Sequence, residues 1–459
     1  MRPRLLVLLC SIIVMSTLVI RASQSAEPPL GVDNQGQENL SQAPAFDCGG
    51  EPCDAVLRGL FAFGDHRLRG LGANGRACAD CHMPTDHFQL SPADAEARFQ
   101  LLQLRRRFNR KADDPLFLPI DADDFRTNGE NAADFSNLRQ NGLIRIVFGL
   151  PSNIRLIAPG TTDLSDETLV DVWRAVPTVN DVALTGPDGS DPVWARDPNR
   201  TGGYQLDARM GSLQQQALGA LVNHAQAQNT VPQQLLDDLS SFQRVLFTNH
   251  RVRALSDAIR AGTSPLPDPD PSLNALEEQG KVVFARACAQ CHGGPGQSTP
   301  KVPVIRFHDI ATQCPRPVDT ASPARFLFKA CPDRLLRNTR TYEITQPNGT
   351  KLRRTSSDPG RALTTGIAGF GFPAPQDDWN KFDTPALRGI KDTAPYFHNN
   401  SADTLEEVVD HYIEFFKRVK ANTAPGAPIP PVATTDGINF DRAPLPEERE
   451  SLLAYLRKL

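Results

Sequence analysis

The chain has no excess of positive charge: 49 lysines and arginines stand against 53 aspartates and glutamates, a formal net charge of −4. Nucleic-acid binders draw much of their affinity from Lys and Arg neutralising phosphates, so a DNA- or RNA-binding role is not expected. Beyond the first 26 residues there is no apolar stretch approaching the roughly 18 residues of a membrane span, which excludes a multi-span membrane protein. The composition also argues against a disordered chain, because 40% apolar residues can supply a core. A length of 459 residues allows about three domains at ~150 residues each.

The one long apolar run lies at the N-terminus. Arg2 and Arg4 precede a mostly apolar stretch from Leu5 to Ile20, and the small residues Ser23, Ser25 and Ala26 follow. These are the charged region, apolar region and cleavage zone of a secretory signal, expected to span residues 1–26. The run is slightly long for a signal, so an uncleaved anchor is the alternative. Either way the expected location is the periplasm or the exterior. Cleavage would remove Arg2, Arg4, Arg21 and Cys10, taking the charge from −4 to −7 and leaving eight of the nine cysteines.

Four of those eight form two copies of one motif, Cys78-Ala-Asp-Cys81-His82 and Cys288-Ala-Gln-Cys291-His292. C-x-x-C-H places two thiols on one helical turn, where they can add to the vinyl groups of one haem. The histidine then reaches under the ring as an iron ligand. A disulfide, a redox dithiol or half a zinc site is the bland alternative. At this composition, however, one such motif should arise by chance roughly 0.004 times per chain. Two covalently bound c-type haems are therefore expected. The remaining cysteines form local pairs, Cys48 with Cys53 and Cys314 with Cys331, read as disulfides of an oxidising compartment or else as free thiols or further haem ligands.

The spacing around the two motifs repeats. Pro177 follows His82 by 95 residues and Pro385 follows His292 by 93, and in each phrase a threonine lies eight residues on, at Thr185 and Thr393. Ser212-Leu213 and Thr404-Leu405 then open helical patterns. The reading is two tandem cytochrome c-like haem domains, mainly α with little β structure. The N-terminal domain spans 46–262 and the C-terminal domain 275–459, joined by a Pro- and Asp-rich linker over 263–274 and preceded by a flexible leader at 27–45. Arg105–Arg107 is read as a solvated helix face or a neutraliser of haem propionates. The Asp121–Asp124 run lacks the glycine register of a calcium loop and is read as a turn.

In the last of these helices Leu405, Val408, Val409, Tyr412 and Phe416 share one face, which places Tyr412 inward and His411 on the solvent side. Aligning Leu213 with Leu405 sets Ala220 against Tyr412. One half then offers its buried face a phenol and the other a methyl. Tyr412 is either a second iron ligand beside His292 or an ordinary core tyrosine. In the first case the haem of His82 is the one left open to peroxide or dioxygen.

The phrase from Phe382 to His398, FDTPALRGIKDTAPYFH, followed by Thr404-Leu-Glu-Glu-Val-Val, resembles the bacterial di-haem cytochrome c peroxidase family and its MauG-like branch. The resemblance spans both motifs and is weaker in the N-terminal half. It implies a peroxidatic haem in one domain and an electron-relaying haem in the other. It also implies an axial residue fourteen positions after His398, methionine in ordinary peroxidases and tyrosine in MauG-like members; here it is Tyr412. Leu206 stands where the family has a tryptophan thought to link the haems. Gln216 matches a distal-pocket glutamine. Gln226 stands where the family has its catalytic glutamate, and an amide cannot act as that base. His224 is either the substitute proton shuttle or a structural histidine at a helix end. An inter-domain calcium would use the backbone near Thr393 and Pro395, but Ala175 replaces its usual asparagine partner. Three functions follow. The leading one is a peroxidase fed by a small redox protein or cytochrome. The others are a MauG-like or rubber-oxygenase-like oxidant of an organic or protein substrate, and a non-catalytic di-haem electron carrier.

Overall fold

Two helix crossings, one in each half of the chain, organise the fold, and a glycine permits each. A computed structural model describes residues 48–157, 168–185, 203–294, 307–312, 333–368, 377–422 and 442–459. The expected signal and leader, and the Cys314–Cys331 pair, lie outside the described residues. The main helices are α1 (Cys53–Phe63), α2 (Cys78–Cys81), α3 (Pro92–Phe108), α4 (Leu213–Asn223), α5 (Gln233–Arg244), α6 (His250–Arg260), α7 (Ala275–Ala287), α8 (Ala289–His292), α9 (Leu405–Asn422) and α10 (Arg449–Leu456). In the N-terminal half α1 crosses α5 so closely that a Cβ on Gly59 would fall 2.0 Å from the Asp238 carbonyl oxygen. In the C-terminal half α7 crosses α10, and a Cβ on Gly280 would fall 1.9 Å from the Ser451 carbonyl oxygen. One turn further along each pair, Phe63 meets Phe242 at 5.2 Å and 61°, and Phe284 meets Tyr455 at 5.4 Å and 63°. Such edge-on aromatic pairs add roughly 0.5–1.5 kcal/mol beyond the area they bury.

The repeat extends to the loops that lead into α4 and α9. Gln205 and Ala208 have φ of 74° and 54°, and Phe397 and Asn400 have 71° and 53°. Isolated bridges Tyr204–Met210 and Tyr396–Ala402 close the two loops. Each loop hands over to its helix through the same cap. Ser212 Oγ accepts from the Gln215 amide, and Thr404 Oγ1 from the Glu407 amide, both at 3.2 Å.

Strands tie the halves together, and there are more of them than a bare haem wrapper needs. β1 (Leu143–Gly149) pairs antiparallel with β3 (Leu169–Ala175). β2 (Ile154–Ile157), from the N-terminal half, pairs with β5 (Arg340–Thr345) of the C-terminal half, and β5 pairs with β6 (Lys351–Ser356). A two-residue ribbon joins β4 (Phe307–His308) to β7 (Phe382–Asp383). Phe148, Leu156, Val172, Tyr342, Ile344 and Trp379 make a buried cluster drawn from both halves. Two backbone bonds repeat the exchange: Ala175 N donates to His398 O at 2.7 Å, and Asp383 N donates to Leu206 O at 2.9 Å. Asp270, in the segment expected to be a linker, is also fastened. Its carboxylate forms ion pairs with Arg388 at 2.7 Å and Lys281 at 2.8 Å and accepts from the Tyr455 hydroxyl at 2.9 Å.

A candidate pair of haem-binding sites

The first motif forms the short helix α2, closed at its start by Asp80, whose carboxylate accepts from the Ala77 amide at 2.8 Å. Arg98 and His66 hold the other face of that carboxylate. The turn is therefore anchored through its second variable residue, and Cys78, Cys81 and His82 are left facing the interior. None of the four motif cysteines is in a disulfide, whereas Cys48 and Cys53 are bonded to each other. Burial pushes the Cys78 and Cys81 thiols up, to about 12 and about 11. A redox-active dithiol shows the opposite shift. The His82 Nδ1 lies 3.1 Å from the Phe88 carbonyl, with the Pro177 carbonyl also acting on the ring. Such an outer partner fixes the tautomer of a metal-binding imidazole and turns Nε2 toward the metal.

His82 and both cysteines line a cavity enclosing about 1170 Å³ of empty space, part of it open to solvent. Its apolar wall includes Val176, Val179, Leu213, Ala217 and Leu221. The thiols, the oriented histidine and the apolar walls fit a c-type haem. The sequence-derived residues separate here. His224, Gln216, Leu206 and Ala220 all line the cavity. Gln226 is not among the lining residues; it is exposed, and its side-chain oxygen accepts from Asn74 at 3.1 Å. Burial pushes His224 down to about 4, with Asp121 opposing and Arg76, Arg209 and His82 reinforcing the shift. Arg76 and Asp121 form an ion pair in which both side chains are almost fully buried, and Arg76 lines the cavity. Asp121, read from sequence as part of a turn, is thus a partner of the cavity wall. The signal available was the basic residue two positions before Cys78. Arg105–Arg107 are exposed.

The second motif forms α8 at the end of α7. The Pro385 carbonyl acts on the His292 ring as Pro177 does on His82, short of a formed hydrogen bond, while burial pushes His292 down to about 4. Tyr412 packs into the cluster that includes Cys288, Ala289 and Phe397. Burial, and the nearby Cys291 and Cys288, raise its phenol above the usual range. It therefore ionises only opposite strong positive charge such as a metal ion. His308 on β4 is buried, with its Nε2 3.5 Å from Cys291 Sγ. It escaped the sequence reading because the contact depends on a two-residue ribbon.

The placement of His411 is corrected. It is 3% exposed, its Nε2 lies 2.7 Å from the Ile310 carbonyl, and its ring meets Phe397 and Phe415. The single-face reading fails because α9 is covered on a second side by Ile310 and Ala311, which pack against its Phe415 and Phe416. Thr393 Oγ1 lies 3.4 Å from the Ile390 carbonyl, and the Ala394 carbonyl, next to Pro395, accepts from Gln89 at 3.1 Å. Among the described residues, no group of three or more His, Cys, Asp or Glu is arranged to hold a metal ion. Likewise, no described helix is long and apolar enough to cross a membrane.

No family model matches the chain. Over 192 residues it is 28% identical to cytochrome-c peroxidase IdrP1 of Denitromonas iodatirespirans, covering 41% of each protein. Over 144 residues it is 29% identical to cytochrome-c peroxidase IdrP2 of the same organism, covering 31% of this chain and 32% of the relative. The chain thus spans less than half the length of the curated relatives it matches. Among solved structures it aligns with a MauG-like protein associated with microbial copper homeostasis (TM-score 0.43, 17% identity, 94% of this chain and 95% of that one). It also aligns with the diheme peroxidase BthA from Burkholderia thailandensis E264 (TM-score 0.38, 16% identity, 89% and 86%). The chain is thus similar, at low identity and over part of its length, to bacterial cytochrome-c peroxidases.

Proposed function

We propose that this chain is an exported di-haem oxidoreductase of the peroxidase type. One c-type haem is held by Cys78, Cys81 and His82 in the N-terminal half, and a second by Cys288, Cys291 and His292 in the C-terminal half, with Tyr412 as a further iron ligand. Hydrogen peroxide or dioxygen enters at the first site, and electrons arrive through the second from a small redox protein or cytochrome. The observation that carries this reading is the asymmetry of α4 and α9: at matched positions Ala220 lines the first cavity, whereas Tyr412 stands beside Cys288 and Cys291.

Once bound, haem iron supplies the redox chemistry by which peroxide, two electrons and two protons become water. The chain's own residues supply the rest. His224 is neutral at pH 7, the form able to accept a proton from an entering peroxide. Asn74 Nδ2 donates to the His224 carbonyl at 2.9 Å and Arg76 Nη1 at 3.4 Å, which fixes the end of α4 from which the ring projects. The Gln216 side chain offers an amide donor in the same cavity, and Leu213, Ala217 and Leu221 keep bulk water from its wall.

Oxidation of an organic or protein substrate is the second reading. It is favoured by tyrosine at 412 and by the placement of Gln226 outside the cavity. Mixing peroxide with the purified protein in a stopped-flow spectrometer tests both. A rapid change in the Soret band is expected, and an inert spectrum would leave only the electron carrier. Rapid oxidation of added reduced cytochrome c would favour the peroxidase. A spectral response without that turnover would favour substrate oxidation.

A further inference from the structure

The two sites are joined by an unbroken run of contacts that does not need an aromatic residue at 206. Leu206 and Arg174 line the first cavity. The Leu206 carbonyl accepts from the Asp383 amide at 2.9 Å. Asp383 follows Phe382 on β7, and Phe382 is the register partner of His308 on β4. The His308 Nε2 then lies 3.5 Å from Cys291 Sγ, the atom that would carry the second haem's thioether. Phe382 is braced on both sides of this line. The His398 ring stacks on it at 4.0 Å and 17°, and the Arg174 guanidinium carbon sits 5.6 Å from its centroid.

We propose that His308, with the β4–β7 ribbon behind it, is the electron conduit between the two sites, taking over in this chain the role of an aromatic side chain at 206. Tunnelling decays less steeply through covalent bonds, hydrogen bonds and close contacts than through open space, and each link above is one of these. The step moves one electron from the reduced second site to the oxidised first site; no bond breaks, and the electron is replaced by an external small redox protein. Cys291 Sγ is the exit on one side, and the Leu206 backbone, in the cavity wall, is the entrance on the other. Phe382 is a positioning residue here: its ring, clamped by His398 and Arg174, holds the ribbon in register.

This inference rests on the two-haem reading, and the experiment separates the two. Pulse reduction of the fully oxidised holoprotein, followed by absorbance, reads the rate of electron transfer between the sites without peroxide turnover. His308→Leu, of similar bulk but without the ring contact to sulfur, should slow that phase at least tenfold, with both reduction potentials and low-spin signals unchanged. Phe382→Leu should slow it by a smaller factor, and Leu206→Trp placed in His308→Leu should recover part of the rate. An unchanged rate in His308→Leu at unchanged potentials overturns the conduit while leaving the two-haem reading intact. If His308→Leu fails to load haem, His308→Gln, which keeps a polar group near the sulfur, is read in the same way. A wild-type protein with a single redox centre would overturn both.

Discussion

At the residue scale, the proposed chemistry depends on a few side chains, some at positions matched between halves and some distinguished by whether they line the cavity. Ala220 and Tyr412 are the clearest case. A phenolate oxygen favours ferric iron and a thioether favours ferrous iron. Tyr412→Met should therefore raise the reduction potential of the second site by on the order of 0.1 V, within the roughly 0.8 V that axial ligands span. Spectroelectrochemical titration reads this directly, and an unmoved potential would reduce Tyr412 to a core residue. His224 and Gln226 make the second case. General acid–base groups contribute about 10²–10⁴-fold, so His224→Leu should slow the peroxide-induced spectral change by about that factor. Gln226→Ala, at an exposed position, should stay within about twofold of wild type. The sign of the pH dependence follows from burial, which favours the neutral imidazole. With His224 held at about 4, the proton-accepting form persists above about pH 5. The peroxide rate should be flat there and fall as pH drops through about 4. A rate that instead rises on acidification would exclude His224 as the proton acceptor.

The elements show why two histidines were legible and a third was not. α2 and α8 are short turns set by the cysteine spacing, so His82 and His292 could be placed from sequence. α9 carries an apolar face that periodicity recovers. The covering of its other side by residues 310–311 comes from distant sequence, and this buries His411. The two helix crossings offer a sharper test of packing. Replacing Gly59 by alanine puts a methyl against the Asp238 backbone, and the crossing must open to admit it. Overpacking of this kind costs about 1–3 kcal/mol, and the same holds for Gly280 against Ser451. Gly59→Ala should lower the thermal midpoint and disturb the absorbance of the first site. Gly280→Ala should disturb the second. Melts indistinguishable from wild type would show that the crossings tolerate a Cβ.

At the scale of the whole molecule the halves are not independent. β2 of one half completes a sheet with β5 and β6 of the other, and the Ala175–His398 and Asp383–Leu206 bonds repeat the exchange at the centre. Unfolding should therefore be a single cooperative transition. Denaturant curves followed at the Soret band, by far-UV circular dichroism and by tryptophan emission should coincide. Two resolved transitions would mean that the shared sheet contributes little. A chain cut at the linker should lose stability in both pieces, because each would expose part of the apolar cluster formed by Phe148, Leu156, Val172, Tyr342 and Trp379.

Local covalent chemistry determined what the sequence alone could settle. The spacing of Cys78, Cys81 and His82, and of their counterparts, is a property of one helical turn. The repeat of Pro177 with Pro385 and of Ser212 with Thr404 is likewise read along the chain. Tertiary structure decided the rest, because it depends on segments far apart in sequence that fold against each other. Arg76 meets Asp121 in the cavity wall, His308 reaches Cys291 only through β4 and β7, and strands of the two halves share one sheet. The absence of excess positive charge gave only the expectation that the chain is not a nucleic-acid binder. Packing likewise set Ala220 in the wall of the first cavity and Tyr412 in the cluster that holds Cys288.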